Sequence, residues 1–210
     1  MGTHYNKNYF NWQKNVGAFG GIANLFKFKD FIKVSDNVID YGCGGGYLLA
    51  NINCREKIGI DINEQARKAC VENGIKAVQS IKEIENEWAD VIISNSALEH
   101  TFRPLDELIN LRPKLKKGGK VVFLIPHEIK IEYKPNDINQ HLYTWSPMCA
   151  GNLFTTAGYK VLKVEKIKHL WPPQSYRIRK YCGQIIFDIV CKLYCRLFGT
   201  WYQVRVIAEK

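Results

Sequence analysis

The stretch Val38-Ile39-Asp40-Tyr41-Gly42-Cys43-Gly44-Gly45-Gly46 decides the fold. A short β-branched run closes on an acid and passes straight into a turn in which four of five residues are glycine. Glycine reaches positive φ without steric cost and lets a backbone come close to a ligand. A helical pattern follows over Gly46–Ile52, so the unit reads strand, glycine turn, helix. A dinucleotide loop would need Gly-x-Gly-x-x-Gly, yet counting from Gly42 the sixth position is Tyr47. No Gly-Lys-Ser/Thr ends the turn, which excludes a Walker-type phosphate loop.

Outward from this unit the rhythm repeats. Strand patterns fall at Asn37–Tyr41, Lys57–Asp61, Lys76–Val78, Asp90–Ser94 and Lys120–Ile125, with helical patterns at Glu64–Asn73 and Leu105–Leu115 between them. Such alternation predicts an α/β fold, a parallel sheet covered by helices on both faces. Pro104 suits a first helical turn, and Lys116-Lys117-Gly118 reads as the positively charged close of that helix. After Pro126 the pattern lapses: 127–145 reads as a long loop of the kind that carries function. Ser146-Pro147 then caps a short helix ending near Gly158, followed by strand patterns at Tyr159–Ile167 and Trp201–Ala208. Between those two lies a helix from Tyr176 to Phe198.

The 210 residues are 46% hydrophobic and 24% charged, ordinary for a globular domain and incompatible with wholesale disorder. No apolar run has membrane-spanning length, and Met1–Gln13 lacks the apolar core of a signal peptide, so a cytoplasmic chain is expected. Seven cysteines without a Cys-x-x-Cys pair, and five scattered histidines, predict reduced, buried or half-buried thiols and no metal.

The net charge of +10 is unevenly placed. Residues 160–210 carry eleven Lys and Arg against three acids, +8 of that total, which predicts an anionic neighbour. In the 176–198 helix, Ile178, Tyr181, Cys182, Ile185, Ile186, Ile189, Val190, Leu193 and Leu197 fall on one face. Lys180, Gln184, Asp188, Lys192 and Arg196 recur on the other. Three partners for the apolar face stand open: the domain itself, an inner membrane surface touched from the cytoplasm, or a second chain.

Asp40, two residues before the first glycine, would repel a pyrophosphate but suits a ligand bearing an ammonium and a sulfonium. Nineteen residues after Gly42, Asp61 ends the second strand where an acid reaches ribose hydroxyls, and Ile62 beside it can pack on a base. At these residues the chain resembles the class I S-adenosylmethionine-dependent methyltransferases. Asp40-x-Gly42-x-Gly44-x-Gly46 matches their first motif and Asp61 their ribose-binding acid. Ile92-Ile93-Ser94-Asn95-Ser96-Ala97-Leu98-Glu99-His100 and Leu111-Arg112-Pro113-Lys114-Leu115-Lys116-Lys117-Gly118-Gly119 match further motifs, so the likeness covers roughly 35–126.

The resemblance implies one Rossmann-like methyltransferase domain over 1–210, with seven strands, an antiparallel last strand and an extra helix between the last two. Residues 1–34 would form an N-terminal lid or helix, 35–126 the cofactor core, and 127–210 the acceptor side with the basic helix. It implies S-adenosylmethionine as cofactor, held by Asp40, Gly42, Gly44, Gly46, Asp61, Ile62, Ser80, Ile81, Asn95 and, from Tyr9-Phe10-Asn11-Trp12-Gln13, Trp12. Where the family often places an acid for the adenine amine, this chain has Gln79-Ser80-Ile81.

Methyl transfer from a sulfonium mainly requires that an acceptor atom be held in line and water excluded. An oxygen acceptor also gains from a base, for which His100 and His141 are the candidates; His100 could equally order its loop. Ser94-Asn95-Ser96-Ala97 stands where base-amino methyltransferases carry Asn/Asp-Pro-Pro-aromatic, and no Pro-Cys dipeptide supplies a pyrimidine-C5 nucleophile. Cys149 reads as a core thiol.

Pro135-Asn136-Asp137-Ile138-Asn139-Gln140-His141-Leu142-Tyr143-Thr144-Trp145, rich in hydrogen-bonding groups and aromatic faces, is the expected acceptor loop; alternatively, His141 and Trp145 tie it to the sheet. With the 9–13 segment it resembles small bacterial methyltransferases associated with cell-surface polysaccharide assembly. A small-molecule or saccharide O-methyltransferase is expected, its acceptor phosphorylated or lipid-linked. An RNA methyltransferase using the basic C-terminal face, or a non-catalytic cofactor-binding module, are the alternatives.

Overall fold

The computed structural model describes residues 7–129, 131–199 and 201–210, with the side chains of 7–13, 15 and 201 outside the described set. One seven-stranded sheet runs β3-β2-β1-β4-β5-β7-β6. Its strands are β1 (Asn37–Tyr41), β2 (Glu56–Ile60), β3 (Lys76–Val78), β4 (Ala89–Asn95), β5 (Leu115–Glu128), β6 (Lys160–Ile167) and β7 (Trp201–Glu209). β1 pairs in parallel with β2 and β4, whereas β7 runs antiparallel to both β5 and β6. The Rossmann-like seven-stranded architecture expected from the sequence is present.

Adjacent apolar residues in the central strands feed two different cores, because successive side chains leave a strand on opposite faces. Ile39, Ile92, Val121 and Phe123 pack on one side with Leu108, Leu111 and Phe154. Val38, Val91, Ile93 and Val122 pack on the other with Phe28 and Leu49. Both faces being covered, these strands read as continuous hydrophobic runs rather than alternating ones.

The helices are α1 (Lys7–Ala23), α2 (Tyr47–Ala50), α3 (Glu64–Glu72), α4 (Pro104–Leu111), α5 (Pro147–Thr156) and α6 (Ser175–Phe198). Asn63 caps α3 by accepting from the Gln65 and Ala66 amides, and Ser146 caps α5 by accepting from Cys149 N. The helix expected over 105–115 stops at Leu111 and gives way to a 3-10 turn at Arg112–Lys114. Pro113 cannot donate the amide bond that would continue it. Lys116–Gly119 is no helix close but an irregularity within β5, where Lys116 pairs with Asp90 at 2.7 Å.

α6 departs furthest from expectation. Gly183, at φ 78° and ψ 175°, kinks it. Besides Ser175 at its start, the residues it buries are Phe187, Cys191 and Cys195, not the stripe read from the sequence; Ile185, Ile189, Leu193 and Leu197 face outward, 52–78% exposed. Phe187 meets the Phe19 and His169 rings edge-on at 5.7 and 5.6 Å. Gln184 and Asp188, expected on the solvent side, turn to Arg179 and His169. Beyond Gly183 the helix is apolar on nearly every side, so tertiary contacts rather than periodicity select the packed face. Cys149 and Cys182 are exposed, against the expectation of buried or half-buried thiols; Cys43, Cys70, Cys191 and Cys195 are buried.

Candidate active site

The glycine turn is built as its sequence requires. Gly42, Gly44 and Gly46 all have positive φ (76°, 53° and 74°), a region that strains any residue with a Cβ. A Cβ on Gly42 would also lie 2.2 Å from Ala97 Cβ, and one on Gly46 2.7 Å from Cys70 Sγ. The turn is pinned from the next strand: the Gly42 and Cys43 amides donate to Ile60 O, and Gly44 N donates to Asp61 Oδ2 at 2.9 Å. Asp61 Oδ1 accepts from Asn63 N at 2.8 Å, so this carboxylate ties the turn to the start of α3.

Two adjoining cavities open along these strand ends. One, of about 240 Å³, is lined by Gly42, Asp61, Ile62, Ser80, Ile81 and His100, among others. The other, of about 220 Å³, is bordered by Asp40, Gly42, Gly44, Asn95, His100 and His141. Gly42, Ser96 and His100 line both, so Asp40, Gly42, Gly44, Asp61, Ile62, Ser80, Ile81 and Asn95 divide between two ends of one cleft, whereas Gly46 lines neither and faces Cys70 and Ile75. Trp12 has a side chain outside the described residues. Ser80 also caps the turn Ile81–Glu83 in a reciprocal capping box with Glu83.

The α1 wall of the second cavity was missed by the sequence reading. Gly17, Gly20 and Gly21 line it, and a Cβ on Gly21 would stand 2.3 Å from the Tyr47 carbonyl oxygen. Gly17 and Gly21 let α1 lie directly on the start of α2, while Gly20 faces Trp171, which closes the same side. Their spacing in the sequence was the available signal.

Asp40 is buried, and its carboxyl is pushed up to about 8, first by burial and then by the Asp61 charge. Burial likewise raises Asp61, against the Asn63 and Gly44 amides. Two desolvated acids lining one cleft are complementary to a cationic ligand. Asn95 accepts from Gln203 Nε2 at 3.3 Å, and the same nitrogen donates to Ser96 Oγ at 3.0 Å. Gln203 in turn accepts from Lys27 Nζ, a buried amine held down to about 7 by desolvation. Ser96 itself sits at φ 58°, a strained position directly after β4.

At the far side of His100 the long loop docks. Leu142 N donates to Glu99 O at 2.9 Å, Trp145 N to Pro126 O at 2.9 Å, and Glu128 N to Thr144 Oγ1 at 2.8 Å. These bonds bring together His100, His141, Glu99 and Glu128. The His100 and His141 rings meet edge-on at 5.0 Å. His141 Nδ1 pairs with Glu128 Oε1 at 2.8 Å, and its Nε2 lies 3.9 Å from Glu99 Oε1. Glu99 is fully buried and its carboxyl is pushed up to about 8, first by burial, with Glu128 adding to the rise. Glu99 stands in the motif quoted after the fourth strand, but its approach to His141, and the part of Glu128, were not visible in the sequence, since these partners lie far along the chain or across a loop. Trp145 is buried in the core, so its face is not available for a ligand; Tyr143 stacks on it at 5.6 Å.

Residues 15–164 match the family model described as a methyltransferase domain. The chain belongs to the methyltransferase-domain family. Among curated relatives, the ribosomal protein L11 methyltransferase of Neisseria meningitidis is 30% identical over 99 residues, covering 43% of this chain and 32% of that protein. The match therefore spans about a third of that relative's length. Among solved structures, an S-adenosylmethionine-dependent methyltransferase from Archaeoglobus fulgidus shares 23% identity at a TM-score of 0.63, covering 90% of this chain and 92% of that one. Phosphoethanolamine N-methyltransferase 2 of Haemonchus contortus, solved with S-adenosyl-L-methionine, shares 16% identity at a TM-score of 0.63, covering 89% and 52% respectively. These likenesses show the fold. S-adenosylmethionine is the cofactor this methyltransferase cleft fits: the glycine turn gives backbone access, and the acids at each end suit its cationic and ribose parts.

A pH dependence follows from Asp40. Without ligand, its raised value means the fold favours the neutral acid. Stability from this group is full below the unfolded value near 4 and is lost as pH rises toward 8. A cationic ligand favours the carboxylate and so releases a proton on binding. Affinity for S-adenosylmethionine is expected to rise between pH 6 and 8, by at most about tenfold per pH unit. Calorimetry in buffers of different ionisation heat would show this release, and Asp40→Asn should flatten the profile.

Proposed function

We propose that this chain transfers a methyl group from S-adenosylmethionine to a hydroxyl of a small-molecule or saccharide acceptor. The observation that carries this reading is the His141–Glu128 pair beside the Asp40–Asn95 end of the cleft. Bound S-adenosylmethionine supplies an electrophilic methyl carbon: the acceptor oxygen bonds to it as the carbon–sulfur bond breaks, and S-adenosylhomocysteine leaves with the electron pair. Asp40 faces the cationic end and Asp61 the ribose. The hydroxyl proton passes into the cluster of His100, His141, Glu99 and Glu128. Asn139 reaches the same cavity from the segment 131–146, which makes that segment the acceptor-side element.

α6 supports a lipid-linked acceptor met at an anionic membrane surface. Its outward row of Ile185, Ile189, Leu193 and Leu197 is flanked by Lys180, Lys192 and Arg196, all exposed. Its single acid, Asp188, turns inward to His169 at 3.2 Å. Apolar side chains with only positive charge around them complement acidic headgroups. No helix among the described residues is long and apolar enough to cross a membrane. The chain should sediment with vesicles containing phosphatidylglycerol and not with pure phosphatidylcholine, and Ile189→Glu with Leu193→Glu should abolish this. A dimer in sedimentation equilibrium that the double variant dissolves, without vesicle binding, would overturn the membrane assignment.

The function itself is tested with methyl-labelled S-adenosylmethionine and a cell extract, fractionated into lipid-linked glycan, soluble glycan and nucleic acid. Label in a glycan fraction is expected. Label lost on ribonuclease treatment would make the chain an RNA methyltransferase, and no transfer at all would make it a non-catalytic module.

A further inference from the structure

The cluster that faces the acceptor side has a buried carboxyl group at its centre. Glu99 has no solvent exposure, and beyond weak approaches from Ser96 and its own backbone neither of its carboxylate oxygens makes a hydrogen bond of good geometry among the described residues. A buried carboxylate in that condition is costly unless a cation or proton joins it. What stands around it is two imidazoles: donor atoms of Glu99, His100 and His141 all lie within 4.8 Å of one another. Imidazole and carboxylate together suit divalent first-row transition ions better than magnesium or calcium, which take mostly oxygen.

The surroundings are those of a built site. His141 is oriented from behind, its Nδ1 held by Glu128 at 2.8 Å so that Nε2 points at Glu99. A carboxylate on the far nitrogen of a histidine is the common outer partner of a metal ligand. Glu99 and His100 share one 3-10 turn, and His141 is locked to that turn by Leu142 N donating to Glu99 O. Three donors from two segments are thus positioned before any ion arrives. The cluster borders the cavity that contains Asn95, Ser96 and Asn139.

We propose that Glu99, His100 and His141 form a binding site for one divalent transition-metal ion, with remaining coordination positions open to an acceptor hydroxyl oxygen. With the ion on His141 Nε2, which then no longer accepts the proton as it does in the ion-free cluster, the ion holds Glu99 as the carboxylate, fixes the oxygen beside the methyl-donor end, and lowers the hydroxyl pKa so that its proton is released to solvent. The site's role rests on the methyl-transfer reading above; its binding of an ion does not.

The test is cobalt(II) titration of the full chain after chelator treatment, read by visible absorption and by equilibrium dialysis. One ion per chain is expected, with d–d bands of nitrogen–oxygen coordination. Glu99→Gln, close to isosteric, and His141→Ala should each weaken binding at least 100-fold while retaining S-adenosylhomocysteine binding, which reports a folded cleft. If the wild-type chain takes up no cobalt, or if Glu99→Gln binds it undiminished, the proposal is wrong. Cofactor binding and label transfer are measured separately, so failure of the methyl-transfer reading would be seen independently of metal uptake.

Discussion

Replacing Asp61 with alanine is expected to weaken S-adenosylmethionine binding by about 10²-fold or more. The carboxylate has two tasks that one substitution removes. It accepts from Gly44 N and Asn63 N, holding the glycine turn against the start of α3. It also lines the cavity with Ile62 and Ser80, where it can accept from ribose hydroxyls. Hydrogen bonds to a charged group contribute roughly 1.5–3 kcal/mol each, and two lost together give a factor of that size. Asp61→Asn separates the tasks, since one amide oxygen can still anchor the turn while the charge is gone. Isothermal calorimetry should place it between wild type and Asp61→Ala. Equal affinity in all three chains would remove Asp61 from the cofactor site.

Loss of His141 should be felt in turnover and not in cofactor affinity. His141→Ala is expected to lower kcat by roughly 10²–10⁴, the range over which a correctly placed proton-handling group acts. S-adenosylmethionine binding should change little, because Asp40, Asp61 and the glycine turn are untouched. Glu128→Gln keeps the imidazole but weakens the bond that aims it, so a smaller fall is expected, on the order of tenfold. Its readout is a displaced pH–rate profile, which a merely structural role for Glu128 would not produce. Single-turnover assays with a glycan acceptor separate the two effects; an unchanged kcat in His141→Ala would confine His141 to fastening the loop.

The convergence of the strand-end residues on one cleft was legible because its determinants are local. Asp40, the glycines and Asp61 each mark the end of a strand, and a strand end fixes where the next residues can lie. The acceptor half was legible only in part. The 127–145 segment stood out by its length and polarity, yet nothing in its sequence separated His141, which reaches the cleft, from Trp145, which fills the core. The Lys27–Gln203–Asn95 chain of hydrogen bonds was out of reach for the same reason: it joins residues 176 and 108 positions apart.

By itself the sequence determined the strand–turn–helix unit, the order of alternating elements and the chemistry at the strand ends. These follow from side-chain periodicity, backbone freedom at glycine and the sign of a charge, all properties of neighbouring residues. Only the tertiary structure decided which side of α6 is covered, how α1 seats its glycines on α2, and that Glu99, Glu128, His100 and His141 converge. A helix apolar on most sides carries no preference for one of them, and a carboxylate's burial depends on what the rest of the chain places over it. Those choices are made by long-range packing, which no local pattern encodes.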